Sequence, residues 1–166
     1  EHLLALGHRR IAHLRADVST PTFAARAGAW ARALRGAGVE PDETLIARTA
    51  FSHVAARASS RELLAREPRA TAVLCDDDLL AGGFLLAARE AGVRVPEDVS
   101  VVGFDDMPLA ELLHPPLTTV AFDVALFGAR SFQVLLQHIR GEADAPRSTW
   151  LPTRLVVRGS TAPPPD

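Results

Sequence analysis

Three consecutive aspartates, Asp76, Asp77 and Asp78, stand between a short apolar run and an apolar helix pattern. The run Ala72–Cys75 predicts a strand that is buried on both faces, because it is brief, continuous and bounded by polar residues. Ligands bind at the carboxyl ends of such strands in open α/β sheets. One aspartate can cap the following helix, but three adjacent carboxylates repel one another unless donors or a cation bind them. We therefore expect at least one of them to face a ligand.

A parallel sheet must position these carboxylates, and the rest of the chain predicts one. Short apolar runs alternate with amphipathic stretches, and this alternation is typical of β-α-β units in a doubly wound parallel α/β sheet. The carboxyl ends of the strands then meet along one crevice. The predicted strands are residues 10–14, 44–49, 72–75 and 99–104, and the predicted helices are residues 24–37, 53–66 and 79–91.

The last third of the chain is less regular. His114, Pro115 and Pro116 predict an extended segment, because each proline disfavours the helical conformation of the residue before it. The pattern then predicts a strand at 117–120, a helix at 124–140 ended by Gly141, and a strand at 153–158. We expect the proline-rich tail, 162–166, to fray.

Each predicted strand is followed by a residue type that suits binding. Carboxylates and a guanidinium form bidentate hydrogen bonds with hydroxyl groups, and an aromatic face covers a sugar ring or stacks on a base. Each residue also has a structural interpretation, as a solvated helix residue, a core residue or a turn residue. The candidates, in strand order, are Thr22 and Arg26, then Phe51, then Asp77 and Asp78, then Asp105.

Composition excludes several classes of protein. The 166 residues suit one domain, and a net charge of −2 with no basic block gives the chain no surface for DNA. No apolar run is long enough to cross a membrane, and the first ten residues do not resemble a signal peptide, so we expect a cytoplasmic protein without membrane partners. The only cysteine, Cys75, excludes an internal disulfide and a cysteine-based zinc site, and its apolar neighbours predict a core position.

An enzyme is the less favoured interpretation. The sequence contains no G-x-x-x-x-G-K-[ST], G-x-S-x-G or H-E-x-x-H motif. The six histidines are scattered, and none stands at ligand spacing from a carboxylate, so we expect structural roles for them and no metal or cofactor. The alternative that stays open is a Mg²⁺-dependent phosphoryl-transfer or hydrolase site that uses Asp76, Asp77 and Asp105.

Five stretches carry a resemblance to a known family. They are EHLLALGHRRIAHL, DDDLLAGG, RVPEDVSVVGFDDMPLAELLHPPLTTV, the helix from Phe127 to Arg140 with its Gly128, and LPTRLVVRGST. In this order and spacing they resemble the effector-binding part of LacI/GalR-type transcriptional regulators. The resemblance implies two Rossmann-like subdomains that enclose a small effector, a sugar or a nucleobase. It also implies that DNA is bound only by an N-terminal helix-turn-helix, which this chain lacks.

The resemblance also implies how the chain divides between the two subdomains. Residues 1–120 correspond to the C-terminal effector-binding subdomain, and 121–146 to a helix of the otherwise missing N-terminal subdomain. Residues 147–160 return as the last strand or strands of the C-terminal subdomain, and 161–166 form the tail. Without its own sheet, the helix at 124–140 should expose an apolar stripe of Leu126, Phe127, Phe132 and Leu135.

By the same resemblance, Arg26 falls on a ligand-binding arginine, Phe51 on an aromatic that stacks on the ligand, and Asp105 on a ligand-binding aspartate. Asp77 replaces the family's usual asparagine, and Phe122 stands where relatives often have a polar side chain. An extra carboxylate favours a hydroxyl-rich or cationic ligand over an anionic one.

The helix at 79–91 predicts a homodimer. It has almost no polar face, and Gly82 and Gly83 inside it indicate that another backbone comes close. Coverage by neighbouring helices of the same chain is the alternative. Regulators of this type dimerise side by side, and the resemblance implies an interface of Ser52, Arg57, Ala81, Gly82, Leu85, Leu86, Ala110 and His114.

A sugar-binding protein of a transporter is the second functional alternative, because it shares the two-lobed fold. The GHRRIA and PPLTT segments are more similar to the regulators. The sequence upstream of Glu1 discriminates between the two, because a helix-turn-helix indicates a regulator and a cleavable apolar leader indicates a binding protein.

Overall fold

One six-stranded sheet with helices on both faces organises the chain. The computed structural model describes residues 1–165. Five strands run parallel and the edge strand β6 runs antiparallel to β5, in the order β2-β1-β3-β4-β5-β6. The strands are β1 (Ile11–Ala16), β2 (Ile46–Thr49), β3 (Ala72–Cys75), β4 (Ser100–Phe104), β5 (Thr118–Phe122) and β6 (Thr153–Val156).

The helices follow the strands in the predicted alternation, which confirms the α/β class. Thr20 caps the second helix and Pro21 occupies its first turn, so this helix begins three residues before its predicted start. A short fifth helix was not predicted from the sequence. The helices are α1 (His2–Ala5), α2 (Pro21–Gly36), α3 (His53–Leu64), α4 (Asp78–Glu90), α5 (Leu109–Leu112) and α6 (Val124–Ile139).

Side chains of the central strands alternate between two cores. In β3, Val73 and Cys75 face the larger core under α3 and α4, whereas Ala72 faces the smaller core under α1 and α2. Both faces of the strand are therefore covered, which explains its continuous apolar sequence. Cys75 is fully buried, as its neighbours predicted.

The segment between β5 and β6 leaves the sheet and returns at the same edge. Phe122, the last residue of β5, pairs with Thr153, the first residue of β6. The chain therefore re-enters beside the point that it left, and β6 must run antiparallel. Helix α6 lies in this excursion and has no buried residue. Its apolar stripe is exposed, with Phe127 at 52% and Phe132 at 62%.

The C-terminal segment is attached to the sheet, so the expectation that the tail frays is wrong for its first residues. Ser160 is fully buried and donates a hydrogen bond to the Val101 carbonyl at 2.7 Å. The buried His8 ring contacts the Ala162 carbonyl through Nε2 at 2.9 Å and Thr71 Oγ1 through Nδ1, also at 2.9 Å. These contacts hold residues 160–162 beside His8 and the edge of the sheet.

Helix α4 is covered mainly by its own chain, which corrects part of the predicted dimer interface. A Cβ on Gly83 would lie 2.6 Å from the His53 carbonyl oxygen, so the backbone that approaches this glycine is that of α3. Ala81 and Ala110 are fully buried inside the chain, and Leu85 is 7% exposed and packs in the same core. At these three positions the burial agrees with the alternative that neighbouring helices of the same chain cover this face.

Candidate ligand-binding site

Arg26 is the centre of the polar groups at the carboxyl edge of the sheet. It lies in α2, and its guanidinium donates to the backbone carbonyl of Asp76 at the end of β3. Its other terminal nitrogen is 3.5 Å from Asp105 Oδ1 after β4. Its Nε finds no hydrogen-bond partner among residues 1–165. This nitrogen is buried below the edge, while the two terminal nitrogens make the contacts with Asp76 and Asp105.

Aromatic rings extend from Arg26 in both directions along this edge. The Arg26 Cζ lies 3.6 Å from the centroid of Phe104 and 5.2 Å from that of Phe23, within the range of cation–π contacts. Phe51 is 6.0 Å from Phe23 on one side, and Phe122 is 6.4 Å from Phe104 on the other. Phe127 of α6 continues the series, 5.9 Å from Phe122. We call these five rings with Arg26 the aromatic row.

The backbone at Asp105 is strained where the site needs a carboxylate. Asp105 and Asp106 have φ angles of 105° and 53°, a region that non-glycine residues rarely adopt. The Asp105 amide donates to the Val120 carbonyl, and Arg158 holds the Asp106 carboxylate at 2.8 Å. Strained conformations that neighbours hold in place concentrate at functional sites. Burial raises the pKa of Asp105, and Arg26 opposes this shift.

The three adjacent aspartates are held by donors of their own chain. Asp76 Oδ1 is 2.8 Å from His13 Nε2, and its Oδ2 accepts a hydrogen bond from the Ala16 amide. Asp77 caps α4 by accepting from the Leu80 amide at 2.8 Å. Donors of the same chain therefore offset part of the mutual repulsion of these carboxylates. His13 also pairs with a carboxylate across 63 residues of sequence, which sequence spacing did not indicate.

Asp78 is a structural residue, which corrects its assignment to the binding site. Its side chain is completely buried. One oxygen accepts from Thr119 Oγ1 at 2.6 Å and the other from the Met107 amide at 2.7 Å. Asp78 thus joins the start of α4 to β5 and to the turn after Asp105, and both oxygens are occupied.

Asp77 keeps features of a binding residue. Burial raises its pKa to about 6, and the neighbouring carboxylates of Asp105 and Asp78 add to the shift, while the helix amides oppose it. Only one of its oxygens is needed to cap α4. Asp77 therefore carries its charge at a cost in stability near neutral pH.

The other residues that the sequence predicted for the binding site differ in how exposed they are. Thr22 is exposed on the first turn of α2, one helical turn before Arg26. Phe51 is 46% exposed, and Phe122 is half-buried. Sequence reasoning missed Phe23 and Phe104 as site residues. Two features of the sequence could have identified them. Phe23 stands three residues before Arg26, and Phe104 stands immediately before Asp105.

A groove of about 550 Å³ continues from Arg26 across the sheet face that carries α2. Phe104, Val120 and Leu155 form its floor, and Trp30 lines one side. The edge itself is partly exposed, since Phe51 is 46% exposed and Phe104 and Phe122 are half-buried. A ligand bound there would be only partly enclosed by this chain.

The structure gives no support to the magnesium alternative. Among residues 1–165, no three His, Cys, Asp or Glu side chains are grouped closely enough to hold a metal ion. Asp76 is instead committed to His13 and Ala16. In the same part of the chain, no helix combines the length and the apolar character needed to span a bilayer.

Comparison with known proteins agrees with this architecture. Residues 1–161 match the periplasmic binding protein-like domain. The chain is 40% identical to the HTH-type transcriptional regulator DegA of Bacillus subtilis over 163 residues, 98% of this chain and 48% of DegA. It is 39% identical to CelR of Thermobifida fusca over 160 residues, 96% of this chain and 47% of CelR.

Solved structures show the same relationship. A complex of the transcriptional regulator CelR with cellobiose superposes with a TM-score of 0.89 at 39% identity, over 96% of this chain and 49% of that one. A dimeric Lac repressor with a C-terminal deletion superposes with a TM-score of 0.87 at 34% identity, over 98% and 59%. The chain thus spans about half the length of the curated relatives that it matches.

The fold, the position of the site and these matches define the class. The chain belongs to the family of periplasmic binding protein-like domains, in the form that LacI-family transcriptional regulators use to bind effectors. Its relatives are named transcriptional regulators rather than enzymes.

Proposed function

We propose that this chain is the ligand-sensing and dimerising part of a LacI-type DNA-binding regulator, and that its effector is a sugar or a related polyhydroxy compound. The carrying observation is Arg26, whose guanidinium lies against the rings of Phe104 and Phe23 with Asp105 beside it, at the carboxyl edge of the sheet. DNA contact would belong to an N-terminal helix-turn-helix outside this chain. A cytoplasmic location follows from such a function.

The chemistry of the edge favours a saccharide. The ring of Phe51, which is 46% exposed, and that of half-buried Phe122 would cover the apolar faces of pyranose rings, and carboxylates accept hydrogen bonds from hydroxyl groups. The negative charges of Asp77 and Asp105 disfavour an anionic ligand. The relative CelR was solved with cellobiose, a disaccharide. We therefore propose disaccharides as the first class to test, and a nucleobase as the alternative.

The second wall of the site would come from the other lobe of the protein. The segment between Phe122 and Thr153 leaves and re-enters the sheet at the carboxyl edge, where a ligand would bind. Helix α6 carries an exposed apolar stripe in this excursion. We propose that residues 121–146 pack against a second subdomain, with Phe127 at the boundary between that lobe and the aromatic row.

The binding site is tested by replacing Arg26 and Asp105 in the protein that contains this chain. Arg26→Met keeps the apolar stem and removes the charged donors, and Asp105→Asn keeps the shape and removes the charge. Each should weaken cellobiose binding by roughly 10- to 150-fold, the worth of one charge-assisted hydrogen bond. Isothermal titration calorimetry measures the change, with a panel of mono- and disaccharides run in parallel.

Arg35→Met is the matched control, because it makes the same substitution in the last turn of the same helix, where the exposed arginine lies 3.7 Å from Glu40. Equal affinities for the parent, Arg26→Met and Asp105→Asn would show that the effector binds elsewhere. Finding a cleavable leader rather than a helix-turn-helix upstream of Glu1 would favour the transporter alternative.

We propose that the dimer forms through the exposed remainder of the α3, α4 and α5 surface. α3 packs on α4 at Gly83, and a Cβ on Gly82 would contact Leu113 just after α5, so the three elements share one face. Val54 is 65% exposed there and Leu112 is 84% exposed. This surface still includes Ser52, Arg57, Gly82, Leu86 and His114 of the predicted interface.

Leu112→Glu should therefore convert the dimer to a monomer, because it would place a charge in an apolar contact. Leu85 is unsuitable for this purpose, since a charge there would enter the core of its own chain. Val157→Glu changes an exposed apolar residue outside the three elements and should leave the dimer intact. Light scattering distinguishes the two states, and a dimeric Leu112→Glu protein would place the interface on another surface.

A further inference from the structure

His13 is a buried histidine that the proposed function does not yet use. It lies in β1 and is completely buried, with its ring 5.6 Å from that of Trp30 in α2. Its Nε2 is 2.8 Å from Asp76 Oδ1, so Nε2 carries a proton and donates a hydrogen bond to the carboxylate. Its Nδ1 finds no partner in the described part of the chain. Asp76 is therefore the hydrogen-bond partner that the structure gives this ring.

The side chain and the backbone of Asp76 accept hydrogen bonds from different partners. Its carboxylate binds His13 and the Ala16 amide, and its backbone carbonyl accepts from Arg26. Arg26 thus lies beside a buried carboxylate and contacts the carbonyl of the same residue instead. The carbonyl is the weaker of the two acceptors for Arg26, because a guanidinium binds a carboxylate more strongly than a neutral carbonyl.

The contact with His13 explains why Arg26 does not take the carboxylate. Without it, Asp76 Oδ1 would be a buried anionic oxygen with no donor, which is strongly unfavourable. Arg26 is the cation that already contacts Asp76, through its backbone carbonyl. Arg15, on the same face of β1 as His13, forms no ion pair with that carboxylate in the described part of the chain. By turning to form that ion pair, Arg26 would leave the face of Phe104 and move away from Asp105.

We propose that His13 is a positioning residue of the binding site: it occupies the Asp76 carboxylate and so keeps Arg26 over Phe104, with its donors free for the effector. This role rests on the proposed function of Arg26, but the position of Arg26 can be measured without any effector. The observable is the position of the Arg26 guanidinium, which either stacks on the Phe104 ring or forms an ion pair with the Asp76 carboxylate.

Nuclear magnetic resonance of arginine-labelled protein reads out that position directly. A guanidinium 3.6 Å from a ring centroid experiences a ring-current shift to higher field. Arg26→Lys identifies the Arg26 signals, and Phe104→Leu gives their position without the ring. In the unsubstituted protein we expect the shifted signals of a stacked arginine.

His13→Phe keeps an aromatic ring of similar size and removes the donor. It should move the Arg26 signals to the values seen in Phe104→Leu and should weaken cellobiose binding about tenfold, the lower limit for a charge-assisted hydrogen bond. His13→Gln retains a donor and should keep the shifted signals. If the phenylalanine variant does not fold, His13→Met removes the donor with a more adaptable side chain.

The double variant His13→Phe/Asp76→Ala separates this role from a general effect on packing. With the carboxylate gone, nothing captures Arg26, so the shifted signals and the affinity should return, although the core has been changed twice. A folded His13→Phe protein that keeps the shifted signals would overturn the proposal, as would a double variant that fails to restore them. If the parent protein does not bind cellobiose, that counts against the proposed effector class, while the Arg26 signals still decide the role of His13.

Discussion

Gly83→Ala should lower the free energy of unfolding by about 3 kcal/mol, at the upper end of the range for overpacked cores. The added Cβ would lie 2.6 Å from the His53 carbonyl oxygen, 2.7 Å from Ala56 Cβ and 3.0 Å from the Arg57 amide nitrogen. Two of these three atoms are backbone atoms of α3, which a rotamer change cannot move. The helices α3 and α4 would have to separate along their contact.

Gly82→Ala is the matched control, because it makes the same change one residue earlier in the same helix. Its Cβ would meet only side-chain atoms of Leu113 and Leu109, the closest at 3.7 Å, an ordinary van der Waals distance. Alanine in place of glycine inside a helix should therefore stabilise by about 1 kcal/mol. Urea denaturation at one fixed protein concentration compares the variants, and a Gly83→Ala protein at least as stable as the parent would refute the α3–α4 contact.

Asp77→Asn should raise the free energy of unfolding by about 2 to 3 kcal/mol at pH 7. The folded pKa of Asp77 is raised from 3.8 to about 6 by burial, and a shift of one pKa unit is worth about 1.4 kcal/mol. The folded state therefore binds the proton more tightly than the unfolded state. The cost of ionising Asp77 is absent below about pH 4 and grows as the pH rises to about 6.

Asparagine removes that charge and still caps α4, since Asn and Asp are equally good N-cap residues. Asp77→Ala removes both charge and cap, so its gain should be smaller by about 1 kcal/mol. Denaturation of the parent and both variants between pH 4 and pH 7.5 isolates the effect of Asp77 from that of the other acids. A stability difference between parent and Asn variant that does not change with pH would show that ionisation of Asp77 is not its cause.

The same variant bears on function. If Asp77 accepts a hydrogen bond from the effector, Asp77→Asn should gain stability and lose affinity, the pattern expected when a site keeps a charge at the expense of stability. The asparagine would also restore the residue that the resemblance to LacI/GalR-type regulators assigns to this position.

Local patterns were sufficient for the elements that a few neighbouring residues decide. The strand Ala72–Cys75 has the predicted bounds, because a short apolar run between polar residues is too brief for a helix and fits a buried strand. Helix α2 begins earlier than its apolar pattern suggests, since its start depends on the cap at Thr20. Helix α5 was missed because four residues give too short a pattern to recognise.

The approach of Arg26 to Asp105 could also be predicted, although 79 residues separate them. Parallel strands that alternate with helices must bring their carboxyl ends to one edge, and both residues follow such ends. Phe104 needed a finer argument, because its side of the sheet depends on the register of β4. The three-residue spacing of Phe23 and Arg26 puts them on one face of α2, but only the structure shows that this face is turned toward the edge of the sheet.

By itself, the sequence determined the α/β class, the edge at which the site forms and most of the residue types gathered there, because these follow from periodicities within short segments. Only the tertiary structure decided which carboxylates are available. Asp76 is held by His13, Asp77 caps α4 and Asp78 is buried against Thr119. It also decided that Gly83 and Leu85 serve the chain's own core. Hydrogen-bond partners and burial arise from contacts between distant segments, and no local pattern in the sequence encodes them.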